Sequence, residues 1–212
     1  MKKFRRRARR KEAALATEFD SDYTRYQADR SALRKYVRRI YLKRAAAQVE
    51  GPTLDFGCGV GELLGYLPAG SRGLEYNKAT VEYCRSNGLP VDFYDGFQDG
   101  WSLSLLDGNE GLRSMVISHV LEHLDEPLDV LRQLLEAARR LKIERILVIV
   151  PGRAGFKIDS THRVFVDAAM LDRAQDQHWS IRRSFYFPFP FRRAGDVFVY
   201  NELHAVFQST AR

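Results

Sequence analysis

The 212-residue chain is long enough for one domain with a full core, and its 45% hydrophobic and 12% aromatic content excludes a disordered polymer. No apolar run of about eighteen residues occurs, which excludes a helical membrane span. The net charge of +7 is unevenly spread: residues 1–44 hold sixteen Lys and Arg against five acids, while the remainder holds 18 basic and 22 acidic residues.

The opening MKKFRRRARRKEAALATEFD is basic but lacks the apolar segment a secretory signal requires. Residues 1–20 read as a flexible basic arm, suited to anionic lipid, nucleic acid or an acidic partner, and 21–212 as a single domain with an N-terminal helical cap. Helix is predicted from Ser21 to Val49, where Leu33, Val37, Ile40 and Ala47 recur on one face, with Gly51-Pro52 as the stop. Strand Thr53–Phe56, a glycine turn and helix Glu62–Leu67 follow. Strand Arg72–Glu75 leads to helix Lys78–Asn87, then come strands Val91–Tyr94 and Ser114–Ser118, helix Pro127–Leu141 and the apolar strand Arg145–Val150. Beyond Pro151 a polar loop is expected, then a short helix over Asp167–Ala174 and two antiparallel strands, Ile181–Phe187 and Val197–Gln208. The alternation predicts an α/β, Rossmann-like, doubly wound and mostly parallel seven-stranded sheet ending in an antiparallel hairpin. Two cysteines, Cys58 and Cys84, make no disulfide framework, and the reducing cytoplasm is the expected compartment, with the arm able to touch the inner face of a membrane.

Asp55-Phe56-Gly57-Cys58-Gly59-Val60-Gly61-Glu62 closes the first strand and turns sharply, bringing backbone against a ligand near the expected positive end of a helix. Glu75, at the end of the second strand, is placed to accept hydrogen bonds from both hydroxyls of a ribose. A dinucleotide fingerprint needs a third glycine at position 62. Glu62 stands there instead, and with Asp55 it disfavours a pyrophosphate. Two acids suit a nucleoside that carries a cationic amino group and no phosphate, as S-adenosylmethionine does.

On these residues the chain resembles the class I S-adenosylmethionine-dependent methyltransferases. LDFGCGVGELLGYL is similar to their D-x-G-C-G-x-G motif, and GLEYN to the segment carrying the ribose acid. ISHVLEHLDEP resembles the stretch after the fourth strand in the ubiquinone-biosynthesis and methionine-W-like groups, part of a small methyltransferase-11/23-like set. The match runs from Thr53 to Pro151. The resemblance implies S-adenosyl-L-methionine as cofactor, with Asp55, Gly57, Cys58 and Gly59 at its methionine end and Glu75 at the ribose. Tyr76 and Asn77 would flank ribose and adenine, Asp95 and Phe97 would occupy the adenine region, and Ser118 and His119 would follow the fourth strand.

His119-Val-Leu-Glu122-His123 also spells H-x-x-E-H, found within a helix in inverted zinc peptidases; here it follows a strand directly. Some methyltransferases similar to this chain carry E-x-x-E-H at this place and bind a divalent metal. His119 replaces the first Glu, so the ligand set is altered and no metal is expected; Glu122 and His123 are expected to cap the loop and pack against the pocket floor. Transfer to an oxygen nucleophile needs a base. His119, or His162 oriented by Asp159, is the candidate. The segment Arg182–Arg193, aromatic and bounded by arginines, suits an acceptor pocket. The sequence therefore points to O-methylation of a small-molecule or glycan acceptor, possible acceptors including a surface polysaccharide. RNA methylation through the basic arm is an alternative, weakened by the acidic body and the lack of an N-P-P-Y-like segment. A non-catalytic partner protein that keeps the fold is a third reading.

Overall fold

The computed structural model describes residues 32–210, with side chains from Arg38 to Thr210. The basic arm over 1–20 and the start of the helix expected from Ser21 lie outside the described residues. In chain order the elements are α1 (Ala32–Ala46), β1 (Thr53–Phe56), β2 (Arg72–Glu75), α2 (Lys78–Ser86), β3 (Val91–Phe93), α3 (Gly96–Asp99), β4 (Ser114–Ser118), α4 (Pro127–Arg140), β5 (Arg145–Pro151), α5 (Arg153–Ile158), α6 (Ala168–Asp172), β6 (Trp179–Phe187) and β7 (Glu202–Ser209). The strands form one seven-stranded sheet in the order β3-β2-β1-β4-β5-β7-β6. The first five strands are parallel, and β7 runs antiparallel between β5 and β6.

Strand alternation splits the core into two faces. Leu54, Met115, Ile117, Ile146, Val148 and Phe207 face the layer formed by α4 and α6. Val116, Leu147, Ile149 and Val206 face the other way, against Leu42 and Ala45 of α1 and against Leu63. β5 is therefore covered on both sides, which is why every residue after Arg145 is buried. Helix α4 starts on Pro127, where a missing N–H costs nothing, and ends on Arg139 and Arg140, charges that suit its carbonyl end.

Three sequence expectations are corrected. Glu62–Leu67 is not an α-helix but holds only a 3-10 turn, Leu64–Tyr66. Gly61 takes a left-handed φ of +76° and Pro68 follows closely, so no helix can propagate between them. The glycine turn is therefore a loop without a helix dipole behind it, and Gly57 N, Cys58 N, Gly59 N and Gly61 N are spent on Leu74 O, Glu75 Oε2 and Cys58 O. Residues 153–158, expected as loop, form α5, whose Gly155 lies so close to the Val199 carbonyl that a Cβ would sit 2.5 Å from it. The last strand starts at Glu202 and not Val197, because the preceding residues fold into a 3-10 turn (Arg192–Asp196) and Asn201 accepts a hydrogen bond from Phe189 N.

Candidate functional site

The chain leaves β1 towards β2 on one side and later returns to β4 on the other, so a crevice opens at the carboxyl ends of β1 and β4, where doubly wound sheets take ligands. A cavity of about 550 Å³ occupies it. Its floor is the loop after β1, tied to β2 by Gly57 N and Cys58 N, which donate to the Leu74 carbonyl at 2.8 and 3.1 Å. Gly57 has φ +73°, and a Cβ there would lie 2.4 Å from Val120 Cγ2. Gly57→Ala combines backbone strain with a clash, and it is expected to cost about 1–3 kcal/mol and several degrees of melting temperature. Thermal unfolding followed by circular dichroism checks this; an unchanged midpoint would contradict the tight approach of the loop to Val120.

Two carboxylates flank the loop. Glu75, half-buried, takes Gly59 N on Oε2 at 2.9 Å and Asn77 N on Oε1 at 2.8 Å. Each oxygen keeps acceptor capacity for a further donor. Burial raises the Glu75 pKa, and the N–H groups of Asn77, Gly59 and Tyr76 pull it back. Asp55 is 3% exposed and lies on the α1 face of β1. Burial, reinforced by the charge of Glu75 and opposed by Arg38, pushes its carboxyl up to about 7. Arg38 of α1 pairs with Glu62 across the mouth, so α1 roofs the cavity that the glycine loop floors. Cys58 sits under Gly73, and burial drives its thiol pKa far up, which makes it an inert packing group.

A second cluster closes the far wall. His119, just past β4 at φ +55°, is held between two carboxylates: Nδ1 lies 3.1 Å from Glu122 Oε1 and Nε2 lies 3.0 Å from Glu202 Oε1. Burial works to lower its pKa, but the charge of Glu202 and the hydrogen bonds to Glu122 and Glu202 hold it at about 10. Burial likewise opposes ionisation of Glu202, and the charge of His119 with its hydrogen bond, aided by His204 Nε2 at 3.5 Å, keeps it at about 2. The ring is an imidazolium at neutral pH, with both nitrogens engaged. His162 is different. Its Nδ1 donates to the Phe156 carbonyl at 2.9 Å, so in the neutral ring the lone pair is on Nε2, 3.7 Å from Asp159 Oδ2 and 3.9 Å from Glu122 Oε1. Phe156 stacks on this ring and His123 meets it edge-on.

The cavity collects Gly57, Cys58, Gly59, Tyr76, Asn77 and Phe97 with the two carboxylates on one side, and Ser118, His119, Asp159 and His162 on the other. Asp95 is outside its lining. The Asp95 carboxylate instead caps α3, accepting from Phe97 N and Gln98 N. Asn77 caps α2 in the same way, leaving its backbone N–H for Glu75.

The sequence profile of the methionine biosynthesis protein MetW matches residues 42–150, half of the chain. The chain belongs to the MetW family. No curated protein sequence matches it significantly. Among solved structures, a SAM-dependent methyltransferase from Archaeoglobus fulgidus is similar over 89% of this chain and 100% of that one, with 18% identity and a TM-score of 0.60. Magnesium protoporphyrin IX methyltransferase (ChlM) from Synechocystis PCC 6803, solved with bound SAH, aligns over 92% and 98% with 14% identity and a TM-score of 0.64. The [4+2]-cyclase SpnF aligns over 80% and 79% with 15% identity and a TM-score of 0.57. These likenesses establish the class I methyltransferase fold. SpnF, named for a cyclisation, illustrates why the fold alone leaves the chemistry open.

Sequence reasoning missed several residues that complete the site of this MetW-family chain. Glu202 and Tyr200 come from the far end of the sequence, and Arg38 and Tyr41 from the roof helix. Glu202 had one signal, an acid opening a strand whose centre, Ala205–Phe207, is apolar. Because β7 runs antiparallel, its first residue lies at the carboxyl edge of the parallel strands, beside Pro151.

Proposed function

We propose that this MetW-family protein is an S-adenosylmethionine-dependent methyltransferase. The observation that carries the reading is the pair of carboxylates, Asp55 and Glu75, flanking a left-handed glycine loop at the floor of the cavity. The residues fit that cofactor. Glu75 has acceptor capacity left for ribose hydroxyls, and the buried Asp55 carboxylate fits an ammonium group. A pyrophosphate would face both charges. Tyr76 and Phe97, 6.2 Å apart by ring centroids, supply aromatic walls for an adenine. When bound, S-adenosylmethionine supplies a methyl group on a sulfonium whose leaving group is a neutral thioether.

The acceptor in this reading is a small molecule or glycan that offers a hydroxyl. His162 presents its Nε2 lone pair on the acceptor side of the cavity, whereas His119, charged and doubly engaged, does not act as a base. Phe189, Phe198 and Tyr200 stack edge-on in sequence and are 37–53% exposed; Tyr200 also lines the cavity. Such faces suit a sugar or ring acceptor. Among the described residues no helix is long and apolar enough to cross a membrane. In this reading residues 21–212 form the catalytic unit, and the basic arm brings it to anionic surfaces in the cytoplasm.

Calorimetric titration with S-adenosylmethionine tests the proposal. Dissociation constants of micromolar order are expected at pH 8. Because Asp55 must ionise to meet the ammonium, affinity should fall about tenfold between pH 8 and pH 6, with a proton released on binding at the lower pH. Absence of binding heat from folded protein would remove the reading; binding that is independent of pH would remove the assignment of Asp55.

A further inference from the structure

The wall opposite the glycine loop gathers three metal-ligating side chains from two separate segments. One ligand atom each of Glu122, His123 and His162 lies within 4.8 Å of the other two. Glu122 is fully buried, and its Oε2 has no hydrogen-bond partner among the described residues although His119 engages Oε1. Leaving a fully buried carboxylate oxygen unpaired is costly, and a cation is the group that most directly removes the cost.

The histidines are oriented from behind, as ligating imidazoles generally are. His162 Nδ1–H is fixed by the Phe156 carbonyl. The Thr161 hydroxyl has one proton and donates it to Asp159 Oδ1 at 2.6 Å, so it accepts from His123 Nδ1–H at 3.0 Å. In both rings the lone pair is then on Nε2. At His162 that lone pair faces Asp159 Oδ2 at 3.7 Å and Glu122 Oε1 at 3.9 Å, acceptors opposed to an acceptor across a gap wide enough for an ion.

We infer that Glu122, His123 and His162 form a binding site for a divalent first-row transition metal. Two imidazoles with one carboxylate suit Zn²⁺, Fe²⁺, Mn²⁺ or Co²⁺, whereas Mg²⁺ and Ca²⁺ prefer oxygen sets. Three protein ligands leave coordination positions open, and His123 and His162 both line the cavity, so those positions face it. The expectation that His119 spoils a metal set is thereby revised: His119 stands behind the site, hydrogen-bonded to Glu122 Oε1, and the third ligand comes from His162, far along the chain. Coordination uses the lone pair that a base at His162 would need, and the site assigns it to the ion. The metal site leaves the cofactor reading untouched and takes the place of the base assigned to His162; the inference that its open positions receive an acceptor oxygen rests on the methyltransferase reading.

Chelator-stripped full-length protein titrated with Co²⁺ tests this through visible absorption bands and calorimetry. One ion per chain is expected, with His162→Gln and His123→Gln each lowering affinity at least about tenfold. S-adenosylhomocysteine binding, measured on the same samples, reports whether each variant keeps its fold and its cofactor side. No Co²⁺ binding by the stripped wild-type protein up to millimolar concentration would overturn the site. So would binding of equal strength in both variants, which would place the ion elsewhere. Either result with S-adenosylhomocysteine still bound defeats the metal site alone and leaves the proposed function standing.

Discussion

Glu75→Gln is expected to lower affinity for S-adenosylhomocysteine by about a hundredfold. The amide keeps the size of the side chain but loses one acceptor oxygen and the negative charge. Two charge-assisted hydrogen bonds to ribose hydroxyls are worth roughly 1.5–3 kcal/mol each, so weakening both accounts for a loss of this order. The same carboxylate also holds the site together, because it ties Gly59 N in the loop after β1 to Asn77 N after β2. An NH₂ group facing either N–H would push the loop away from β2. The measurement is calorimetric titration of both proteins at pH 8, with the melting temperature recorded alongside. An unchanged affinity would remove Glu75 from nucleoside recognition. A parallel collapse of melting temperature would assign the effect to the loop.

Glu202→Gln should destabilise the fold by about 2–3 kcal/mol, a fall of roughly 5–10 °C in melting temperature. Glu202 is 16% exposed and its partner ring 38% exposed, so solvent screening holds the figure below that of a fully buried pair. The variant leaves His119 with Glu122 as its one carboxylate partner. The pH dependence distinguishes this pair from ordinary packing. His119 rises from 6.5 to about 10 on folding, so its contribution is complete below pH 6.5 and disappears as pH climbs towards 10. Glu202 falls from 4.5 to about 2, so its contribution is complete above pH 4.5 and disappears as pH drops towards 2. Wild-type stability from this pair should therefore be greatest between pH 4.5 and 6.5 and decline on both sides. In Glu202→Gln the acid-side decline should shrink and the alkaline decline should weaken. Identical pH profiles for the two proteins would contradict the clamp.

Much of the crevice floor was legible because the information is local. Asp55, Gly57, Gly59 and Glu75 lie at strand ends, and strand ends follow from apolar runs that stop at turn residues. The mostly parallel sheet was accessible for the same reason: β–α alternation leaves few connections for its strands. The helix assigned to Glu62–Leu67 failed because apolar spacing at Leu63, Leu64 and Leu67 outweighed the left-handed requirement at Gly61. Asp95 was legible as an acid after β3, but its N-capping role depends on α3, a helix too short to show periodicity. The acceptor wall was harder to read. His119 looks like a base in sequence, and only the fold brings Glu202 from the last strand, 83 residues on, to charge it. Glu122 and His162 are likewise distant in sequence, and the orphaned Glu122 oxygen is a property of packing that no spacing encodes.

In the proposed function, two acids beside the glycine loop hold a cationic, phosphate-free nucleoside. A crystal structure of the S-adenosylhomocysteine complex tests it most directly. The ribose hydroxyls should lie within about 3.2 Å of the Glu75 oxygens and the amino group should face Asp55. A ligand seated away from both carboxylates would contradict the account, as would a soaked dinucleotide binding there with its pyrophosphate against Gly57 and Gly59.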